Sequence, residues 1–199
     1  MKIAVYSGSF NPFHIGHLSV VHYLLEHADF DRVYLVVSPR NPFKDASLAD
    51  SGEERLKTVK SAIERNGLSD WVMVDDIEFH MPLPSYTIRT LDALQEREPS
   101  NRFTLVIGGD NLSQMLSWKE GGRILWQYGV AVYPRSGFNM VRDCRILRTK
   151  HRNEEALFGV EKHKALRIKL LKDAPLVNIS SSQLRQMAAD GEDVGAYTV

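Results

Sequence analysis

The sequence predicts an α/β protein built on a doubly wound parallel sheet with helices on both faces. Three observations carry that expectation. Short apolar runs of strand length alternate with longer segments whose apolar residues recur at helical spacing. The chain has 199 residues and 43% of them are hydrophobic, enough for a sizeable core in one domain without staples. Polar and glycine-rich stretches follow the apolar runs, at what becomes the carboxyl edge of the sheet, where open α/β sheets hold their ligands.

Lys2 to Tyr6 is the first apolar run, and Gly8 to Gly16 is rich in turn residues. From Leu18 to Ala28, Leu18, Val21, Leu24 and Leu25 share one helical face. Arg32 to Val37 is a buried second strand. Ser51 and Glu54 form a capping box for a helix with Leu56, Val59 and Ile63 inward and Gly67 as its stop. Trp71 to Ile77 is the third strand. Thr87 to Glu98 is a helix with Ile88, Leu91 and Leu94 inside, ended by Pro99. Phe103 to Ile107 and Gly129 to Tyr133 are the fourth and fifth strands, with a helical stretch around Ile124 between them. A helix through Glu154 to Lys172, a brief strand at Leu176 to Ile179 and a helix through Gln183 to Ala189 complete the prediction. No repeat or linker breaks the pattern, so residues 1–199 are expected to form a single domain.

Charge and cysteine usage narrow the function. Lys plus Arg and Asp plus Glu each number 25, so no overall field recruits nucleic acid or an acidic membrane, and a small-molecule partner is favoured. Cys144 is the lone cysteine, which excludes an internal disulfide and a Cys-rich metal site and suits a reducing compartment. Met1 to Tyr6 runs straight into a strand, without the apolar stretch of a secretory signal, and no run long enough to span a bilayer exists. A cytoplasmic location is expected, and self-association stays open.

The residues after the strands carry the chemistry. After the first comes G-S-F-N-P-F-H-I-G-H (Gly8 to His17), after the second S-P-R-N-P-F-K (Ser38 to Lys44), after the fourth G-G-D-N-L (Gly108 to Leu112) and after the last I-S-S-S-Q-L-R (Ile179 to Arg185). Gly8 allows a tight turn, and the amides of Ser9 and Phe10 suit an anion. His14 and His17, three apart at a helix start, can project towards one bound group, and Gly16 leaves room for a nucleotide. The first-turn amides and the helix dipole are expected to add positive potential there. An H-x-x-H pair is also half of a metal site, but H-E-x-x-H and a third ligand nearby are missing. G-x-G-x-x-G and G-x-x-x-x-G-K-[ST] are missing too, which weighs against hydride transfer and P-loop hydrolysis.

Gly8 to His17 resembles the H-x-G-H signature of the nucleotidyltransferase superfamily, and I-S-S-S-Q-L-R resembles its I-S-S-T-x-x-R companion. With S-P-R-N-P-F-K, P-S-Y-T-I-R-T-L (Pro84 to Leu91), G-G-D-N-L and Trp118, the ordered set is similar to the nicotinate mononucleotide adenylyltransferase family. That resemblance implies a Rossmann-like fold, ATP with Mg²⁺ as cofactor, nicotinate mononucleotide as acceptor, and deamido-NAD and pyrophosphate as products.

The acceptor's phosphate oxygen would attack the α-phosphorus, leaving the protein to position groups and stabilise charge. By similarity, His17 would donate to the α-phosphate while His14 helps hold the phosphate chain. Lys44 and Arg185 would hold the departing phosphates. Gly8, Ser9, Phe10, Gly16, Gly108, Asp110, Ile179, Ser180 and Ser181 would bind ATP. Asn11, Tyr86, Thr87, Gly109, Trp118 and Arg135 would bind the acceptor. No protein carboxylate cage for the magnesium ion is expected, since the triphosphate supplies most of its ligands.

Plainer roles stand beside these: core packing for Trp118, helix capping for Asp110 and Ser180, and a surface position for Arg135. The basic run Arg142 to Arg152 reads foremost as a solvated face, and then as a phosphate- or subunit-facing loop. Rival functions are a relative of the same superfamily acting on phosphopantetheine or glycerol phosphate, and a non-catalytic nucleotide-binding regulator.

Overall fold

The computed structural model describes residues 1–39, 52–153, 164–176 and 178–199. Six strands among these form one sheet of order β3-β2-β1-β4-β5-β6, with every neighbouring pair parallel. They are β1 (Lys2–Gly8), β2 (Arg32–Val37), β3 (Val72–Asp75), β4 (Arg102–Gly108), β5 (Val130–Tyr133) and β6 (Ile168–Leu170). The α-helices among the described residues are α1 (Ile15–His27), α2 (Gly52–Arg65), α3 (Thr87–Arg97), α4 (Gly109–Leu112), α5 (Gly121–Arg123), α6 (Met140–Asn153) and α7 (Ser181–Ala189). The predicted doubly wound α/β architecture is therefore observed.

Strand side chains alternate between two cores, as the period of two requires. Ile3, Val5, Tyr34, Val36, Phe103, Leu105, Val130 and Val132 join Ile88, Leu91 and Leu94 of α3 and Leu147 of α6. Ala4, Val33, Leu35, Val37, Val106 and Ala131 join Val21 and Leu24 of α1 and Val59, Ala62 and Ile63 of α2.

The central pair of strands creates the site. β1 and β4 are paired only from Lys2↔Arg102 to Val5↔Leu105. Beyond that point β1 continues against β2 as far as Gly8↔Val37, and β4 against β5 as far as Gly108↔Tyr133. The sheet splits at its switch of winding direction, opening a crevice between Tyr6–Gly8 and Val106–Gly108.

Local signals explain most element ends. At the end of α2 the Leu68 amide donates to Ile63 O at 3.1 Å while Gly67 adopts φ +66°, which glycine tolerates without strain. The predicted cap Ser51 lies outside the described residues. β3 is shorter than the predicted Trp71 to Ile77, because Asp75 Oδ1 accepts from the Ile77 amide at 2.9 Å and starts a 3₁₀ turn over Ile77–His80.

Two expectations are corrected. The predicted helix through Glu154 to Lys172 does not extend to Ile168–Leu170, which forms β6 and pairs with β5. Among the described residues in this part of the chain, α6 is helical; it takes in the basic run and buries Asp143, Cys144, Leu147 and His151 at helical spacing. Its Arg142, Arg145, Arg148, Lys150 and Arg152 are exposed, in keeping with a solvated face. The predicted strand Leu176 to Ile179 is not formed by its described residues. Pro175 just before it brings no amide to a ladder, and its carbonyl accepts from the Tyr133 hydroxyl at 2.6 Å.

Leu91 is 0% exposed beneath α3, whereas Leu176 is 58% exposed. Leu91→Ala is expected to cost about 2–5 kcal/mol in equilibrium denaturant unfolding, and Leu176→Ala to stay within about 0.5 kcal/mol of the wild type.

Candidate active site

The loop leaving β1 turns back into α1 through Phe10, at φ +46°, and His14, the N-cap of α1. Phe10 is 3% exposed, and its ring meets Tyr6, Phe13 and His17 edge-on at centroid distances of 5.5, 5.7 and 5.1 Å. A side chain on Gly8 would press on that ring at 3.2 Å, so glycine permits the turn to close. The His14 and His17 rings lie 3.7 Å apart between centroids, tilted by 32°.

Both imidazoles have one nitrogen committed to the backbone. The Gly16 amide donates to His14 Nδ1 at 3.1 Å, and the His14 amide donates to His17 Nδ1 at 3.2 Å. An accepting Nδ1 places the proton of a neutral ring on Nε2. Burial, then the Arg135 charge, lowers the His14 pKa to about 4. Burial, then His14, then Arg135, holds His17 well below its ordinary value. Each ring is thus a neutral Nε2–H donor at physiological pH.

The start of α1 differs from the sequence expectation. The Ile15 amide donates to Tyr197 O at 2.9 Å, Gly16 to His14 Nδ1, and His17 and Leu18 to His14 O at 2.8 and 3.2 Å. The first-turn amides are consumed inside the protein and are not free for an anion. Residues from the far end of the sequence consume one of them, and His14 bridges Thr198 in antiparallel fashion beside it.

The helix α3 is the opposite case. Its N-cap, Tyr86, makes no side-chain capping bond. Tyr86 O accepts from Arg89 and Thr90, and no acceptor meets the Thr87 and Ile88 amides among the described residues. An open helix N-terminus favours negative charge.

The crevice holds a cavity of about 300 Å³, at the lower end of the range for small-molecule sites. Of the residues singled out in the sequence, Gly8, Ser9, Phe10, His17, Thr87, Gly108, Trp118, Arg135 and Ser181 line it. Asp110, Arg135, Ile179 and Ser180 line a second hollow that adjoins the first through Arg135.

A Cβ at Gly108 would stand 2.2 Å from Asp110 Oδ1 and 3.2 Å from Arg135 Nε, so a side chain there would displace the Asp110 carboxylate from its present position. Asp110 does not cap α4: the N-cap is Gly108, and Asp110 Oδ1 lies 3.9 Å from Arg135 Nε without a hydrogen-bond partner among the described residues. Ser180 does cap α7, accepting from the Gln183 amide at 3.2 Å. Trp118 both packs against the core and faces the cavity.

Other selected residues lie behind these surfaces. His14 is 3% exposed, its Nε2 without a hydrogen-bond partner among the described residues, Gly16 is buried in α1, and Gly109 is buried at the start of α4. Arg185 donates to the Asn11 carbonyl and to Ser182 Oγ at 2.9 Å, and Ser181 Oγ donates to Pro12 O at 3.1 Å. Together they fasten α7 to the first loop. Arg185, Asn11 and Tyr86 line neither cavity. Lys44 lies outside the described residues.

Next to the site, the buried Glu78 and Arg55 were not anticipated. Glu78, 4% exposed, accepts from Thr90 Oγ1 at 2.9 Å and Ser7 Oγ at 3.4 Å, and also engages the Ser38 hydroxyl. Burial pushes its pKa up against the pull of those three hydroxyls. Arg55, 8% exposed on α2, donates to the Ser9, Ser38 and Pro39 carbonyls. Its spacing from Val59, Ala62 and Ile63 on the buried face of α2 was the available signal. Tyr6, Ser7, Asn111 and Tyr133 also line the first cavity, all at or just beyond carboxyl ends of strands.

A cytidylyltransferase-like family model matches residues 5–187. A Bacteroides fragilis protein named "Probable nicotinate-nucleotide adenylyltransferase" is 38% identical over 193 residues, covering 97% of this chain and 85% of the relative. A Flavobacterium johnsoniae protein of the same name is 34% identical over 196 residues, covering 98% and 90%. The fold is shared with a Plasmodium falciparum nicotinic acid mononucleotide adenylyltransferase complexed with NaAD. That structure superposes with a TM-score of 0.72 at 20% identity, covering 97% of this chain and 86% of the other.

The low pKa of His14 contributes to the pH dependence of stability. As pH falls from 6.5 towards 4, the unfolded chain takes up protons that folded His14 refuses, so stability present above 6.5 is lost across that window. Denaturation midpoints between pH 7 and 4 are expected to fall less steeply in His14→Asn than in the wild type; equal slopes would contradict a neutral His14.

Proposed function

The chain belongs to the cytidylyltransferase-like family, and from that membership we infer that it is a nicotinate-nucleotide adenylyltransferase, moving AMP from ATP to nicotinate mononucleotide. The observation that carries this reading is the neutral His17 Nε2–H donor beside Arg135 in the split between β1 and β4. The reaction is a displacement at phosphorus. A phosphate oxygen of the acceptor bonds to the α-phosphorus as the bond to the β-phosphate oxygen breaks and pyrophosphate leaves. No protein nucleophile takes part.

His17 donates Nε2–H to the α-phosphate oxygens as their charge grows, in a partly dry site where such a bond is strongest. Because the rings are neutral, positive charge comes from Arg135 and, by family resemblance, from Lys44 and Arg185. Arg185 reaches the triphosphate by exchanging its bond to the Asn11 carbonyl. His14 backs His17 through the ring contact, and Gly8, Ser9, Phe10 and Gly16 shape the phosphate pocket.

The second hollow suits the nucleoside of ATP. The Asp110 oxygen without a hydrogen-bond partner accepts from ribose hydroxyls, flanked by Gly108, Ile179, Ser180 and Ser181. On the acceptor side, Trp118 offers a flat face to the pyridine ring. Asn11 and Gly109 border the acceptor, and the open amides at Thr87, just after Tyr86, attract the nicotinate carboxylate. That preference for an anion favours nicotinate over nicotinamide.

Among the described residues, no three His, Cys, Asp or Glu side chains gather to hold an ion. The hydroxyl, imidazole and guanidinium lining instead fits a magnesium ion carried on the phosphates of ATP, where it supplies charge neutralisation. No helix among the described residues is long and apolar enough to cross a membrane. We read residues 1–199 as one catalytic unit working in the cytoplasm.

Pyrophosphate release from ATP is expected with nicotinate mononucleotide and not with phosphopantetheine or glycerol phosphate; release with either of the latter alone would move the chain to another branch of the family. His17→Ala is expected to lower kcat about 10²–10³-fold with a smaller change in KM. Trp118→Ala is expected to raise KM for the acceptor more than KM for ATP, and equal increases would reduce Trp118 to a packing residue.

A further inference from the structure

With the α1 amides consumed, a phosphate in this loop can still be met by the amides of Ser9 and Phe10, which line the first cavity, and they must be aimed. A trans peptide points its C=O and N–H in opposite directions. The Ser9 carbonyl is drawn to Arg55 Nη1, on the α2 side of the loop. The Phe10 N–H therefore points away from Arg55, and Ser9 and Phe10 line the first cavity.

The same peptide leads into a left-handed Phe10, a conformation that a non-glycine residue keeps only where its surroundings enforce it. Those surroundings are the guanidinium on one side and the ring packing against Tyr6, Phe13 and His17 on the other. Arg55 also donates to the Ser38 and Pro39 carbonyls, both at 2.9 Å. One guanidinium thus fixes the loop after β1 relative to the loop after β2. Three carbonyl acceptors need a planar fork, which an ammonium does not reproduce.

We propose that Arg55 is a positioning residue for adenylyl transfer: by holding the Ser9, Ser38 and Pro39 carbonyls it aims the Phe10 amide at the phosphate chain. Arg55 touches no substrate and acts through the backbone of the first loop. The inference rests on the adenylyltransferase reading, but its central step can be observed without turnover.

The test labels the full chain with ¹⁵N-phenylalanine, assigns the Phe10 amide with a Phe10→Leu control and adds inorganic pyrophosphate. The wild-type Phe10 amide is expected to shift. In Arg55→Ala it is expected not to, and millimolar guanidinium, but not urea at the same concentration, is expected to restore both the shift and part of kcat. Arg55→Lys is expected to stay folded and lose about 10- to 100-fold in kcat, the cost of a misaimed site. Should Arg55→Ala not fold, Arg55→Lys carries the amide comparison alone.

A Phe10 amide that ignores pyrophosphate in the wild type, or responds equally in the variants, overturns the proposal. So does guanidinium that restores thermal stability without restoring kcat. A wild type that shows the amide response but transfers nothing to nicotinate mononucleotide would refute the assigned reaction and leave the role of Arg55 standing.

Discussion

When two neighbouring parallel strands stop sharing hydrogen bonds, their facing backbone groups need other partners, and the wedge between them fills with side chains, water or ligand. β1 and β4 part after Val5 and Leu105, although each keeps its outer neighbour for three residues more. That divergence places Ser7 and Gly8 opposite Ile107 and Gly108 across an opening. The loop into α1, the Gly108–Gly109 corner and the Arg135 side chain are all arranged around it. Had the two strands stayed paired to their ends, the imidazoles would sit above a closed sheet edge.

The two helix termini at this rim are used differently. The start of α1 is sealed by His14 and by Tyr197, so its amides act as scaffold and fix the tautomer of both rings. The start of α3 keeps its first amides open. An anion placed in this crevice would therefore meet side-chain N–H groups at one end and backbone at the other. A sealed terminus suits a group that must hold one orientation while charge develops nearby. An open one suits a carboxylate that only binds.

Much of this was legible in the sequence. The apolar runs located five strands, and the polar stretches after them marked the rim where the cavities lie. The misreading around Glu154 to Lys172 has a physical origin. In Arg142 to Arg152 the density of charge hid Cys144, Leu147 and His151 at helical spacing, and β6 is only three residues long with Lys169 in its middle. The sealing of α1 was invisible because its partner, Tyr197, belongs to the far end of the sequence. Arg55 was hidden in another way: after Glu53 and Glu54 it reads as part of a solvated face, and only its alignment with Val59 and Ala62 betrays the burial.

The contact between Ile15 and Tyr197 also bears on how the molecule matures. A growing chain can pair β1 with β2 and dock α1 early, since these elements are close in sequence. The cap on α1, however, waits for Tyr197, which is far from it in sequence. Until then the amide of Ile15 has only water to meet, and the histidine ring pair beside it lacks one of its walls. The helix that carries the two histidines is thus completed by a residue far along the chain, so a chain without Tyr197 would carry the sheet but leave the start of α1 unsealed.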